Sequence, residues 1–97
     1  MSSLVVAVLR ARPEQADPLE AELRALAART AEEPGALGYT VAREGERFLV
    51  LEEYRDDAAR EAHFAAPYVR ALLARFPALL AGEAQVETGA RLTAFRR

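Results

Sequence analysis

The six residues at positions 4–9, LVVAVL, limit the possible fold of this chain more than any other feature. They are apolar at both alternating sets of positions, and such a run is typical of a β-strand that is covered on both faces. The chain has only 97 residues, and a domain of that size buries about 60 to 65% of the surface that its unfolded form exposes. We therefore expect one domain, residues 1–97, in which both faces of the first strand must be packed against other parts of the protein or against a second chain.

The spacing of apolar residues changes from that of a strand to that of a helix after this run. Leu19 and Leu23 lie on one side of a helical projection, and charged residues lie on the other. Asp17 is suited to cap this helix, and Pro18 is suited to its first position. The Pro-Gly pair at residues 34–35 predicts its end, because proline disfavours a helical residue before it and glycine permits the reversal.

The middle of the chain predicts a hairpin followed by an interrupted helix. Residues 36–43 and 48–55 are two extended runs joined by a short link that contains glycine. Asp56 is suited to cap the helix that follows. Pro67 divides this helix into two segments, and we expect the second segment to end at residues 76–77, a Phe-Pro pair.

Residues 85–95 predict a last strand, loosened by a bulge at the Thr-Gly pair of residues 88–89. The order β-α-β-β-α-β is that of the ferredoxin-like α+β fold, a four-stranded antiparallel sheet with two helices on one face. The other face is left open, although the first strand is apolar on both sides. We expect a second copy of the chain to cover it, so that a homodimer forms a dimeric α/β barrel.

Composition argues against several classes of function. The chain has no cysteine and one histidine, so we expect no disulfide, no thiol nucleophile and no metal site within one chain. The formal net charge is −2 and the 13 basic residues, all arginine, are scattered, which disfavours nucleic acid as a partner. No apolar run is long enough for a membrane span, and no basic leader precedes the first strand. We expect a cytoplasmic, soluble domain without a membrane partner.

Two side chains stand out as candidates for catalysis. His63 is the only histidine, and on the second helix it is placed to accept a proton from a substrate hydroxyl. Glu52 interrupts the apolar strand face that contains Val50, so it must be paired, hydrogen-bonded or protonated with a raised pKa. The alternative interpretations are a half-buried His63 bound to a carbonyl or carboxylate, and a structural ion pair between Glu52 and Arg10 or an arginine of a second chain.

Aromatic side chains form a second candidate group. Their spacing suits either a hydrophobic core or the walls of a pocket for a flat ligand. They are Tyr39, Tyr54, Tyr68, Phe48, Phe64 and Phe76.

Three segments resemble a known family in their order and spacing. They are EPGALGY at residues 33–39, FLVLEEY at residues 48–54 and AHFAAPY at residues 62–68. This pattern is similar to that of the antibiotic biosynthesis monooxygenase family, which runs E-x-G-C-x-x-Y, an apolar strand ending E-x-W, and nine residues later A-H with a proline four residues after the histidine. The resemblance covers essentially the whole chain.

The resemblance implies a dimeric α+β barrel that oxidises phenols, quinols or aromatic polyketides with molecular oxygen, without metal or flavin cofactor. It implies that His63 is the base or the hydroxyl-binding group, that Glu52 orients it or pairs with it, and that Tyr39 and Tyr68 line a cavity between helices and sheet. The small aromatic substrate would be the only partner besides a second copy of the chain.

The chain departs from the family pattern at several positions. Tyr54 stands at the tryptophan, Tyr68 where many members carry a second histidine, and Ala36 at the cysteine. The absence of asparagine from the first strand, and of tryptophan from the chain, argues against the haem-degrading activity of related proteins. Two alternatives remain open: a non-catalytic dimeric domain that binds a small aromatic ligand or acts in a stress response, and an isomerase or decarboxylase that would also use His63.

Overall fold

Four antiparallel strands form one sheet, in the order β2-β3-β1-β4, in the computed structural model, which describes residues 1–97. The strands are β1 (Ser3–Arg10), β2 (Ala36–Glu44), β3 (Arg47–Tyr54) and β4 (Gln85–Ala90). The helices are α1 (Ala16–Thr30), α2 (Asp57–Ala65) and α3 (Pro67–Leu79). The predicted ferredoxin-like α+β fold is confirmed, with the second helix divided in two at Pro67. None of these helices combines the length and apolar character needed to cross a membrane.

Two helix boundaries differ from those predicted. Asp17 does not cap α1, because a 3-10 turn at Pro13–Gln15 leads directly into a helix that begins at Ala16. The third helix also continues through Pro77 and ends at Leu79. Pro77 lies in the last turn, where its missing N–H costs one helical hydrogen bond. The two residues beyond Pro77 place Leu79 in the core, where it is 2% exposed, and its burial offsets that loss.

The last strand is shorter and more regular than predicted. β4 ends at Ala90, which lies opposite Ser3 at the start of β1, so a longer β4 would have no partner strand. The predicted bulge at residues 88–89 is wrong, because both residues pair regularly with β1. The irregularity in register lies instead in β2, between Ala36 and Gly38.

The core lies between the helices and one face of the sheet. Alternate residues of β1 and β3 point into it, and Val5, Phe48 and Val50 are no more than 2% exposed. Leu19 and Leu23 of α1 cover this face. Glu52 follows the same alternation, and the strand period therefore carries its carboxylate into the core.

The opposite face of the sheet, here called the open face, is uncovered and has an apolar centre. Val6 and Leu51 are direct neighbours on adjacent strands and are 47% and 50% exposed. Leu4, Val8 and Leu49 lie beside them and are half-buried. Strand β1 is thus apolar on both sides, but only one of these sides is covered within this chain. The homodimer remains a prediction that this face supports.

Gly35 lies where α2 packs against the connection to β2. A Cβ atom at this position would lie 2.5 Å from the Cβ of Ala59 on α2. We expect Gly35→Ala to lower the free energy of unfolding by about 1 to 3 kcal/mol, because α2 would have to shift. Gly38→Ala is the matched control, since nothing lies within 4 Å of the Cβ it would add. Urea denaturation followed by circular dichroism measures both, and equal losses would contradict the expectation.

Candidate active site

An apolar cavity lies between the helices and the covered face of the sheet. Thirteen of its 15 lining residues are hydrophobic, and the other two are Glu52 and His63. The cavity volume is about 50 Å³, which is room for a few water molecules and less than the roughly 150 Å³ that holds benzene in an apolar protein cavity. An aromatic ligand can therefore enter only if the cavity widens.

Helix α2 carries His63 into this cavity. The Asp56 side chain accepts a hydrogen bond of 2.7 Å from the backbone N–H of Ala59 and caps the first turn, as predicted. The helix is only nine residues long, because Pro67 begins the next helix after it. His63 lies near its end on the inward face and is 1% exposed. Both ends of α2 are thus fixed by side chains that the sequence identifies.

The His63 ring lies between two carboxylates that contact different nitrogens. Its Nδ1 atom lies 2.9 Å from Oε2 and 3.2 Å from Oε1 of Glu33. Its Nε2 atom lies 3.5 Å from Oε1 of Glu52. Glu52 and His63 are therefore neighbours, and His63 also has the carboxylate partner that the alternative interpretation anticipated. Glu33 thus lies within hydrogen-bond distance of Nδ1, and Glu52 lies just beyond that distance from Nε2.

Glu52 is held in the core by a tyrosine and by the histidine. The Tyr54 hydroxyl donates a hydrogen bond of 2.5 Å to its Oε1 atom. Burial raises the pKa of Glu52, and the Tyr54 hydrogen bond and the nearby His63 act in the opposite direction. The proposed ion pair with Arg10 is not formed within the chain, because Arg10 is exposed and lies opposite Arg47.

The raised pKa of Glu52 has a consequence for stability. An acid whose pKa is raised by folding destabilises the folded state as pH rises above its ordinary value, here 4.5. We expect Glu52→Gln to increase the free energy of unfolding at neutral pH, because the amide can still accept from Tyr54 without charge. The gain should shrink as pH falls towards 4.5. Denaturation curves at several pH values measure it, and a loss of stability at neutral pH would contradict the expectation.

Three of the predicted aromatic residues line the cavity. Tyr39, Phe64 and Phe76 form part of its wall. The Tyr39 ring lies 6.3 Å from the His63 ring and the Phe64 ring 5.1 Å from it, measured between centroids. Burial raises the pKa of Tyr39, so its hydroxyl stays protonated and available as a neutral donor.

Tyr54 and Tyr68, in contrast to the expectation, are not among the residues that line this cavity, and their role in substrate binding stays a prediction. The Tyr54 hydroxyl donates its hydrogen bond to Glu52, and burial raises the pKa of Tyr54. The Tyr68 hydroxyl donates to Oε2 of Glu33, and the Arg29 guanidinium lies 4.4 Å from the centre of the Tyr68 ring. Both tyrosines therefore hold the carboxylates that contact His63.

Glu33 is the site residue that sequence reasoning did not assign. It lies in the loop between α1 and β2, and no periodic pattern predicts which way a loop side chain points. The one signal in the sequence is its position at the start of the EPGALGY segment that carries the family resemblance.

No group of three or more His, Cys, Asp or Glu side chains is arranged to hold a metal ion.

Comparisons with known proteins give one family and several structures of the same fold. A family model described as antibiotic biosynthesis monooxygenase matches residues 2–75. The structure of Rv0793 from Mycobacterium tuberculosis is similar with a TM-score of 0.91 and 26% identity, covering 97% of this chain and 98% of that chain. PA3566 from Pseudomonas aeruginosa is 32% identical, with a TM-score of 0.85 over 95% of both chains.

A structure from Caulobacter crescentus that is named as an antibiotic biosynthesis monooxygenase is also similar, with 31% identity and a TM-score of 0.86. The match covers 95% of this chain and 91% of that chain. No curated protein sequence matches this chain.

Proposed function

Because the chain belongs to the antibiotic biosynthesis monooxygenase family, we propose that it is a cofactor-independent monooxygenase that oxidises a phenol, quinol or polyphenol with molecular oxygen. The observation that carries the proposal is that Glu52 and His63 lie side by side in the wall of a cavity whose other 13 lining residues are hydrophobic. Such a site suits a flat substrate that has one hydroxyl at the buried end.

The proposed chemistry needs the protein to ionise the substrate and keep it dry. The substrate O–H bond breaks, and the proton passes to the Glu52–His63 pair. The resulting phenolate is electron-rich enough to give electrons directly to oxygen. For a hydroquinone, one substrate and one O₂ give one hydroxyquinone and one water, so the substrate supplies all four electrons and no other reductant is needed.

The edge between α3 and β4 is the proposed entrance. Leu73 of α3 and Val86 of β4 line the cavity and are 40% and 50% exposed. Phe76 lies beside them and is partly buried. A substrate that separates these side chains would place its apolar body at this edge and its hydroxyl at Glu52 and His63. Apolar entrance walls favour phenols that carry alkyl or further aromatic groups over sugar-bearing ones.

We further propose that the working unit is a homodimer formed through the open face. Its apolar centre would be removed from water by a second copy, and this burial would stabilise a small domain. Glu53 lies at the edge of this face, where it accepts hydrogen bonds from Ser2 and Arg91, so its charge is already paired within the chain.

A second candidate function is a non-catalytic domain that binds a small aromatic ligand. The observation that favours it is that Tyr68, which stands where many members of the family carry a second histidine, donates to Glu33 and does not line the cavity. Binding without reaction would need the same cavity and the same polar pair. Oxygen consumption separates the two functions.

An oxygen electrode tests the proposal with chelator-treated protein and a panel of alkyl-substituted hydroquinones and phenols. We expect uptake above the buffer rate for at least one hydroquinone, with one O₂ consumed per hydroxyquinone formed. Uptake at the buffer rate for every compound, together with ligand-induced thermal stabilisation, would overturn the proposal in favour of the binding domain.

A further inference from the structure

We propose that Glu33 is a positioning residue for His63. It keeps the ring proton on Nδ1, so that Nε2 faces Glu52 and the cavity as a proton acceptor, and it stabilises the charge of the ring when Nε2 takes a proton. The catalytic part of this inference rests on the proposed function. The part that concerns the ring proton does not.

The contacts at Nδ1 determine which nitrogen carries the proton. Both oxygens of Glu33 lie within 3.2 Å of Nδ1. An ionised carboxylate only accepts hydrogen bonds, so Nδ1 must donate to it. A neutral imidazole has one ring proton, and Nε2, which points towards Oε1 of Glu52 at 3.5 Å, is then free to accept one.

Glu33 is itself held in place from its other side. The Tyr68 hydroxyl donates to the same Oε2 atom that Nδ1 contacts, and Arg29 lies over the Tyr68 ring. The Glu33 side chain is 22% exposed and the His63 side chain 1%. The carboxylate therefore lies at the boundary between the buried ring and solvent, outside the cavity wall. Its removal changes no residue that lines the cavity.

The proton balance of the proposed step is simple. The substrate O–H bond breaks and an Nε2–H bond forms, which leaves a phenolate and a doubly protonated ring. The Nδ1–H bond stays intact, and the negative charge of Glu33 balances the positive charge on the ring. When the proton returns from Nε2 to the reduced oxygen that leaves as water, the ring regains its starting form.

The single histidine makes nitrogen-15 NMR a direct test of the ring proton. With only one histidine in the chain, the ring nitrogen signals need no separation from others. At a pH where the ring is neutral, we expect Nδ1 to be protonated and Nε2 unprotonated in the wild type. In Glu33→Ala we expect a substantial fraction of the Nε2–H form. A wild-type ring protonated on Nε2, or the same ring form in wild type and variant, would overturn the proposal.

Kinetics with the hydroquinone panel test the charge of Glu33 separately. Glu33→Gln keeps the size of the side chain and an acceptor for Nδ1 but removes the charge, and we expect kcat to fall about 10²-fold with little change in KM. Glu32→Gln removes the same charge from the neighbouring exposed residue and should leave kcat unchanged. Equal kcat values for the two variants would overturn the inference.

The NMR and kinetic results separate this inference from the proposed function. A wild type that consumes no oxygen would defeat the monooxygenase proposal, and the NMR spectra would still decide whether Glu33 holds the ring proton. A wild-type ring protonated on Nε2 would overturn the inference even if Glu33→Ala does not fold.

Discussion

Replacing His63 by alanine is expected to lower kcat for oxygen consumption by about 10²- to 10⁴-fold, the usual contribution of a positioned acid–base group. The substrate hydroxyl would then have only Glu52 beside it. Burial raises the pKa of Glu52, but without His63 no imidazole accepts the proton and no ring charge faces the phenolate. Steady-state oxygen uptake across a range of pH measures the loss.

The control for this variant lies on the same helix. Glu61 is exposed on α2, and Glu61→Ala should leave kcat unchanged. Added imidazole should restore part of the activity of His63→Ala, because the deleted ring leaves a space of its own shape between Glu33 and Glu52. A His63→Ala protein that is folded and consumes oxygen as fast as the wild type would contradict the assignment of His63.

Replacing Leu51 by glutamate is expected to convert the proposed dimer into a monomer. Leu51 lies at the centre of the open face beside Val6 and is 50% exposed in the single chain. A carboxylate there would be buried without a partner if a second sheet packed on it, so we expect the dissociation constant to rise about 100-fold or more. Sedimentation velocity at micromolar concentration measures the change.

Leu73→Glu is the matched control for Leu51→Glu. Leu73 has a similar exposure of 40% but lies on α3, on the other side of the sheet. We expect Leu73→Glu to remain dimeric. A wild-type protein that sediments as a monomer, or equal dissociation constants for the two variants, would contradict the proposed dimer.

Much of the fold is predictable because the local signals agree with one another. The alternation of β3 is enough to place Glu52 among apolar residues, and Asp56 and Pro67 mark the ends of α2. The end of β4 is not predictable, because it is set by the length of the partner strand β1. The last two residues of α3, beyond Pro77, escape prediction for a related reason: the burial of Leu79 outweighs a local signal to end the helix.

The candidate site is predictable only where it lies on regular structure. The pairing of Glu52 with His63 follows from a strand and a helix that pack together. Glu33 and its contact with Tyr68 depend on the path of a loop, which no periodicity encodes. The volume of the cavity depends on how side chains from several elements pack, and no single stretch of sequence determines it.

Glu52 and His63 are proposed to ionise a phenol that is held in the apolar cavity. A nitrophenol that does not react with oxygen tests this claim directly, because its neutral and ionised forms absorb at different wavelengths. At a pH where the free compound is neutral, we predict that binding to the wild type produces the phenolate spectrum and that His63→Ala does not produce it. A bound compound that keeps the spectrum of the neutral phenol in the wild type would contradict the claim.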